Sequence, residues 1–249
     1  MSKFLSKVTT GKDTSHGVIL GIYGEPGSGK TSLALDVPGI LLVDAERSAA
    51  HYEARRFSPD RWDDVLGITQ EFWADQSAGQ AIGFDSLDAI QAMVFDQVAR
   101  ANGVEQVGQI AYGRGFDQAA GEFRKLWGFF DGIVGQGRVV LWTCHSATTK
   151  VETPNGDTFD RIGLKLNAKV AALAVEKSDL VCQIGIRTMV SKVKGQDKGR
   201  ATVLTDQDGN PERFFRCVPT GGVLAKTRFS HPAGEITPLS WSKIREFCK

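Results

Sequence analysis

No stretch of this chain approaches the roughly 18 consecutive apolar residues that a membrane-spanning helix needs, so it reads as a soluble protein with no membrane partner. Cysteine is scarce. Cys144, Cys182, Cys217 and Cys248 lie far apart without a C-x-x-C pair, and no signal-peptide pattern precedes them. Neither a zinc site nor a disulfide framework is expected, and a reducing cytoplasm is the simplest setting. A strong charge of either sign is also missing: 30 basic residues against 29 acidic ones leave a net charge of +1. No global field therefore draws the chain to nucleic acid, and any such contact must come from a local patch. Internal repeats, low-complexity segments, zinc fingers and helix-turn-helix signatures are all absent.

What the chain does have is glycine where a phosphate needs it. The apolar run from Gly17 to Tyr23 leads into Gly24-Glu25-Pro26-Gly27-Ser28-Gly29-Lys30-Thr31, a G-x-x-x-x-G-K-[ST] loop between a strand and a helix. The glycines let backbone N–H groups turn inward on phosphate oxygens. Lys30 can reach the β and γ phosphates, and the Thr31 hydroxyl suits a Mg²⁺ ligand. The nucleotide-binding segment is thus Gly24, Glu25, Pro26, Gly27, Ser28, Gly29, Lys30, Thr31 and Ser32. The helix opening at Lys30 adds its positive dipole end to the same anion.

The 249 residues can build one large α/β domain or two small ones, and the lack of a long linker favours one. Residues 1–16, with Lys3, Lys7 and Lys12, read as a flexible tail, leaving 17–249 as a single domain. Strand, loop, helix and the second apolar run Ile40–Val43 alternate as in a mostly parallel sheet flanked by helices. A third run, Ala81–Phe84, ends on Asp85-Ser86, and amphipathic helices are expected at about 87–100 and 116–134. A buried strand over Val139–Thr143 ends near His145. Residues 146–166 are polar around Pro154-Asn155-Gly156, as in a hairpin tip or mobile loop. A helix at about 167–178, a strand at 180–186 and a β-rich C-terminal part with a turn at Asp206–Pro211 complete the pattern.

A phosphate loop alone does not separate a kinase from a GTPase or a motor ATPase. Asp85, at the end of an apolar strand, can hold the Mg²⁺ water shell beside Thr31. Glu46 follows the strand after the loop helix, at the carboxyl edge where ligands of open α/β sheets collect. Its spacing leaves two roles open: polarising an attacking water, or opening a helix at the surface.

The ordered set GEPGSGKT, LLVDAE, IGFDS and a strand ending in TCH resembles the RecA-like core ATPases over about residues 17–230. Its compact size looks closest to phage-encoded RecA-core nucleotide-binding and single-strand annealing proteins. The resemblance implies ATP and Mg²⁺ as cofactors and makes Glu46 the residue that activates water. It also makes Asp85 the Mg²⁺ residue and His145 the γ-phosphate sensor, where RecA itself carries Gln and a neutral imidazole N–H can donate in the same way. It implies a homo-oligomer with nucleotide at subunit interfaces, because Lys226-Thr227-Arg228 matches a K-x-R pair that reaches a neighbour's nucleotide. Lys226 and Arg228 at i and i+2 of an extended segment share a side, though two solvated cations would look the same. Arg47, next to Glu46, is expected to neutralise that carboxylate rather than serve the phosphate.

The resemblance also implies single-stranded DNA as partner, in recombination or annealing. The segment after the sensor strand is the family's DNA-binding loop and here carries Lys150, Arg161 and Lys165, offset by Glu152, Asp157 and Asp160. Arg114, beside Tyr112, falls where a first DNA-facing loop would lie. The basic stretch 187–200, with Lys192, Lys194 and Lys198, is either a solvated hairpin or a phosphate track. Two rivals stand beside the DNA-stimulated ATPase: a nucleotide-switched binding module with little turnover, and a small-molecule kinase.

Overall fold

The computed structural model describes residues 10, 15–153, 155–191, 200–230 and 233–248; most of the expected tail lies outside them. In chain order the elements are β1 (Ile19–Gly24), α1 (Lys30–Leu35), β2 (Leu41–Asp44), β3 (Arg56–Phe57), α2 (Trp62–Ala74) and β4 (Ala81–Asp85). Then come α3 (Leu87–Ala101), α4 (Arg114–Val134), β5 (Val139–Glu152), β6 (Thr158–Leu164), α5 (Ala168–Lys177) and β7 (Leu180–Ile186). The C-terminal part holds β8 (Thr188–Ser191), β9 (Arg200–Val203), β10 (Arg213–Arg216), β11 (Lys226–Thr227) and α6 (Trp241–Phe247).

Among the described residues one sheet runs in the order β10-β7-β1-β5-β4-β2-β3, with β6 on β5 and β11 on β7. The strands from β7 through β1, β5, β4 and β2 to β3 are parallel, and β10, β11 and β6 pair antiparallel. Parallel strands need both faces covered, and the alternation of side chains sorts them. Ile19 and Tyr23 of β1 join Phe84, Trp142 and Val181 under α2, α3, α4 and α5. Leu20 and Ile22 join Leu42, Leu141 and Phe215 under α1 and α6. Every residue of β1 is buried as a result.

One buried cation finishes a helix from the far edge of the sheet. Arg138 is buried and donates to the carbonyls of Phe72 (2.7 Å), Trp73 (3.0 Å) and Asp75 (3.3 Å), closing the end of α2. α4 and α5 run side by side, tied by Lys169–Asp117 near their starts and Lys177–Asp131 (2.8 Å) near their ends.

Two expectations need correction. The strand expected to end near His145 continues to Glu152, and of the two readings of the polar stretch after it, hairpin or mobile loop, the hairpin is the one seen: β6 zips onto β5 from Ser146↔Leu164 to Glu152↔Thr158. Its outer half is mostly polar and exposed, while Ile162 and Leu164 at the inner end of β6 pack with the core. Cys182 and Cys217 form a disulfide, which their separation of 35 residues in sequence had argued against. Antiparallel pairing sets Arg216 opposite Gln183, so the next pair in register is Cys217 and Cys182, with Cα atoms 4.5 Å apart. The bond removes the cysteine argument for a reducing compartment. No helix among the described residues is long and apolar enough to cross a membrane.

Gly21 shows how tightly the central strands are packed. A Cβ built on it would lie 2.1 Å from Cζ2 of the fully buried Trp142, its partner across β1 and β5. That indole is held in turn by Nε1 donating to Ser178 Oγ at 2.9 Å. Gly21→Ala is expected to cost about 1–3 kcal/mol, the range for overpacking a well-filled core. Gly67→Ala, in α2 with nothing within 4 Å of the added methyl, should be neutral or stabilising by up to about 1 kcal/mol. Thermal unfolding of the two variants checks the contrast, and equal melting temperatures would contradict it.

Candidate nucleotide-binding site

β1 delivers the chain to Gly24, and the loop then turns back on itself through Ser28, whose N–H and hydroxyl both donate to the Glu25 carbonyl (3.2 and 2.7 Å). Gly27 (φ 77°) and Gly29 (φ 99°) take the left-handed conformations that a side chain would resist. Lys30 is nearly buried at 7 % exposure, with Nζ donating to the carbonyls of Gly24 (3.1 Å) and Glu25 (3.0 Å). Burial pushes its pKa down, against the upward pull of Asp85, Glu46 and Asp88. A cavity of about 350 Å³ opens beside the loop, lined in part by Glu25, Pro26, Ser28, Gln183 and Phe214.

Asp85, at 1 % exposure, ties the elements together. Its Oδ2 accepts from Thr31 Oγ1 (2.7 Å) and Ser48 Oγ (3.0 Å), and its Oδ1 from Thr143 Oγ1. Its backbone carbonyl accepts from the N–H groups of Ala45 (2.8 Å) and Glu46 (3.2 Å), so the same residue fixes the segment that carries Glu46. Asp44 finishes that segment from below: its buried carboxylate accepts from the N–H groups of Ser48 (2.9 Å) and Ala49 (3.1 Å). The peptide between Asp85 and Ser86 is cis. Ser86 donates to the Glu46 carboxylate.

His145 stands opposite Gly24 in the β1–β5 register. Its N–H donates to Asp88 Oδ1 (3.1 Å), and its Nδ1 lies 2.8 Å from Asp88 Oδ2 and 3.4 Å from Glu46 Oε1. Burial pushes the Asp88 carboxyl up, but hydrogen bonds from Ser86 and His145 outweigh it and hold the group below the usual carboxylate range. An ionised Asp88 can only accept, so Nδ1 of the imidazole must carry the hydrogen. The N–H of a neutral ring is already given to Asp88, and Nε2 donates only when the ring is doubly protonated.

Arg47 departs from expectation. It pairs with Asp60 at 2.5 Å across the surface and does not neutralise Glu46. Its left-handed backbone (φ 58°) turns the side chain out of the site.

Lys226 and Arg228 do share a side, but at the opposite edge of the sheet from the loop, where β11 pairs with Leu180 and Val181. Lys226 Nζ donates to the carbonyls of Val175 and Glu176 (2.7 Å each), ending α5. Arg228 pairs with Asp179 at 2.6 Å, and Asp179 in turn accepts from the N–H of Ile19 (2.9 Å). Neither cation can serve the phosphate loop of its own subunit.

Of the nucleic-acid candidates, Lys150 and Lys165 are exposed on or beside the β5–β6 hairpin, which continues past the loop edge of the sheet, and Lys150 faces Asp160 across the ladder. Arg161 is partly buried, its Nε shielded, and its charge acts on the buried Tyr23 hydroxyl. Arg114 is exposed with its guanidinium 5.9 Å from the ring of Tyr112, which is 94 % exposed. Lys192, Lys194 and Lys198 lie outside the described residues.

Asp88, Ser86, Ser48 and Thr143 were not singled out from the sequence. Asp85-Ser86-Leu87-Asp88 reads only as a strand end followed by a helix cap with an acid in the first turn. The Ser86 cap is present, accepting from Ala89 N–H at 3.4 Å. What the local pattern does not carry is that β5 brings His145 beside it.

A glycine loop after a buried central strand, a lysine at its helix and a strand-end aspartate beside the helix threonine define a P-loop NTPase of RecA-like fold. The chain belongs to the AAA domain family, which it matches over residues 16–229, and is a nucleotide-binding ATPase domain. No curated protein matches it. Among solved structures it is similar to the flagellar accessory protein FlaH from Methanocaldococcus jannaschii. The identity is 14 % and the TM-score 0.37, over 83 % of this chain and 88 % of that one.

Two tests follow from this geometry. Because the Asp88 carboxyl is held low in the folded state, its stabilisation is present above the ordinary Asp pKa of about 4 and is lost as pH falls through the folded value. Asp88→Asn should therefore be less stable than the parent near pH 7, with the gap narrowing as the pH is lowered below about 4; urea unfolding across that range checks it. Lys226→Ala/Arg228→Ala should cost about 1–3 kcal/mol by removing the side-chain donors to the α5 carbonyls and to Asp179 Oδ1, with ATP affinity unchanged in an equilibrium titration.

Proposed function

We propose that this protein binds ATP with Mg²⁺ and hydrolyses it, and that it acts on single-stranded DNA in phage-type recombination or annealing. The observation that carries the hydrolytic part is the cluster of Glu46, Asp88 and His145, whose ligand atoms lie within 4.8 Å of one another beside the phosphate loop. Glu46 is an acceptor held in place by the Ser86 hydroxyl and by its own N–H on Asp85. It is suited to orient or deprotonate water for in-line attack on the γ phosphate. Lys30 leaves the loop carbonyls for the phosphate, and the loop amides take up charge on its oxygens.

Thr31, Ser48 and Asp85 present the hard oxygen donors that Mg²⁺ takes, so the residues fit the ion: Thr31 would hold it directly and Asp85 through its water shell. Such an ion neutralises charge on the β and γ phosphates.

The DNA part is supported by the placement of Arg114 and Tyr112. Lys169–Asp117 ties the start of α4 to the start of α5, just after the hairpin. An exposed ring and cations on one edge of the molecule suit base stacking and phosphate contact. A second reading, a nucleotide-set switch with little turnover, is favoured by Lys226 and Arg228: both are engaged within their own subunit, and they would have to leave α5 and Asp179 to complete a neighbour's site in a head-to-tail assembly.

ATP hydrolysis measured with and without single-stranded DNA, across protein concentration, tests these readings together. Glu46→Gln should keep ATP binding and lose about 10²-fold or more in turnover, and Lys30→Ala should lose both. Repeated turnover stimulated by DNA is the expected result. A single turnover per site would favour the switch, and turnover unaffected by Glu46→Gln would remove the carboxylate from the mechanism. Charge reversal at Arg114, Lys150 and Lys165 should weaken DNA binding and flatten its salt dependence.

A further inference from the structure

The phosphate loop supplies one cation, Lys30, although a triphosphate carries several negative charges. A second cation comes from far along the chain. Arg213 opens β10 and pairs with Ile186 at the end of β7, the strand beside β1. Phe215 of β10 packs in the cluster with Leu33 and Ala34 of α1, and the two-residue period of a strand puts Arg213 on that same face. The contact is close: a Cβ built on Gly29 would lie 3.0 Å from Arg213 Cδ and 3.1 Å from its Nε. The arginine stem therefore runs over the backbone of the loop residue next to Lys30.

Its surroundings set it apart from the other arginines of this edge. Arg187 pairs with Glu212 (3.0 Å) and Glu235 (3.4 Å), and Arg216, on the opposite face of β10, pairs with Glu235 (3.1 Å). Arg213 differs in having no carboxylate partner among the described residues; its Nε, like that of Arg216, is shielded from solvent without a hydrogen-bond acceptor. Lys30 lies one residue from Gly29, so two cations converge on one turn of backbone that already aims N–H groups at an anion. Like charges so placed repel unless an anion lies between them, and the guanidinium's fork of donors matches phosphate oxygens.

Resting on the nucleotide reading above, we infer that Arg213 is a phosphate-binding residue supplied by the same subunit, holding the polyphosphate against the loop from the β10 side. This places the second cation within the subunit, independently of Lys226 and Arg228.

The test is competition binding against a fluorescent ATP analogue, with ATP, ADP and inorganic pyrophosphate as competitors. It uses the full chain and the variants Arg213→Gln, Arg213→Lys and, as a control on the other face, Arg216→Gln. Arg213→Gln should weaken ATP and pyrophosphate alike by about 10- to 100-fold, the worth of a charge-assisted hydrogen-bond pair. Arg213→Lys should recover part of the loss, Arg216→Gln should bind as the parent does, and melting temperatures of the free Arg213 variants should stay within a few degrees of the parent. Arg213→Gln with parental affinity, while Lys30→Ala loses binding, overturns the inference and leaves the nucleotide reading standing. A loss that falls on the analogue's affinity but not on pyrophosphate also overturns it, because the contact would then be to the nucleoside. Failure of the unsubstituted protein to bind any of the three overturns the nucleotide reading and the inference with it.

Discussion

The buried carboxylate of Asp85 is the constraint on which the site depends. A carboxylate removed from water is costly unless its lone pairs are met, and here they are met by hydroxyls from three places: Thr31 on α1, Ser48 after β2, and Thr143 on β5. Satisfying one acid thus locks the phosphate-loop helix to three neighbouring strands. The carbonyl of the same residue holds the N–H groups of Ala45 and Glu46, so the position of Glu46 depends on the position of Thr31. Binding and water activation are coupled through a single side chain and its own peptide group.

Cations in this protein are divided by what lies opposite them. Arg138 and Lys226 end α2 and α5 by donating to their last carbonyls, at the edge away from the loop. Arg47, Arg187, Arg216 and Arg228 have acids. Lys30 and Arg213 differ: the first is held by carbonyls of the loop itself and the second rests its stem on that loop without an acid. A nearly neutral chain can therefore concentrate positive charge at one place without a charge run in its sequence, because Arg47, Arg138, Arg187, Arg216, Lys226 and Arg228 are each matched locally.

The carboxyl-edge acids are sorted in a related way. Asp44 is turned inward to hold the Ser48 and Ala49 amides, leaving Glu46 as the carboxylate of that segment near His145. Asp88 spends its acceptors on the backbone and ring of His145. The ring is oriented as a result, and its free nitrogen in the neutral form is an acceptor rather than a donor.

The sequence by itself determined the class of the site and its strand framework. A left-handed glycine turn before Lys-Thr has a local cause, the steric freedom of glycine, and buried parallel strands leave unbroken apolar runs, so β1, β2, β4 and β7 were legible within a residue or two. Asp85 and Glu46 could be read because each ends such a run. Tertiary structure alone decided what those residues meet. The Cys182–Cys217 bond, the Asp88–His145 pair and the contact of Arg213 with Gly29 join positions 35, 57 and 184 residues apart, through strand register that no local pattern encodes. α2 and α6 were missed and β5 was read too short, because such elements draw their stability largely from packing rather than from their own sequence. Lys226 and Arg228 make the same point: their common side followed from spacing, but only the pairing of β11 with β7 turned that side toward the end of α5.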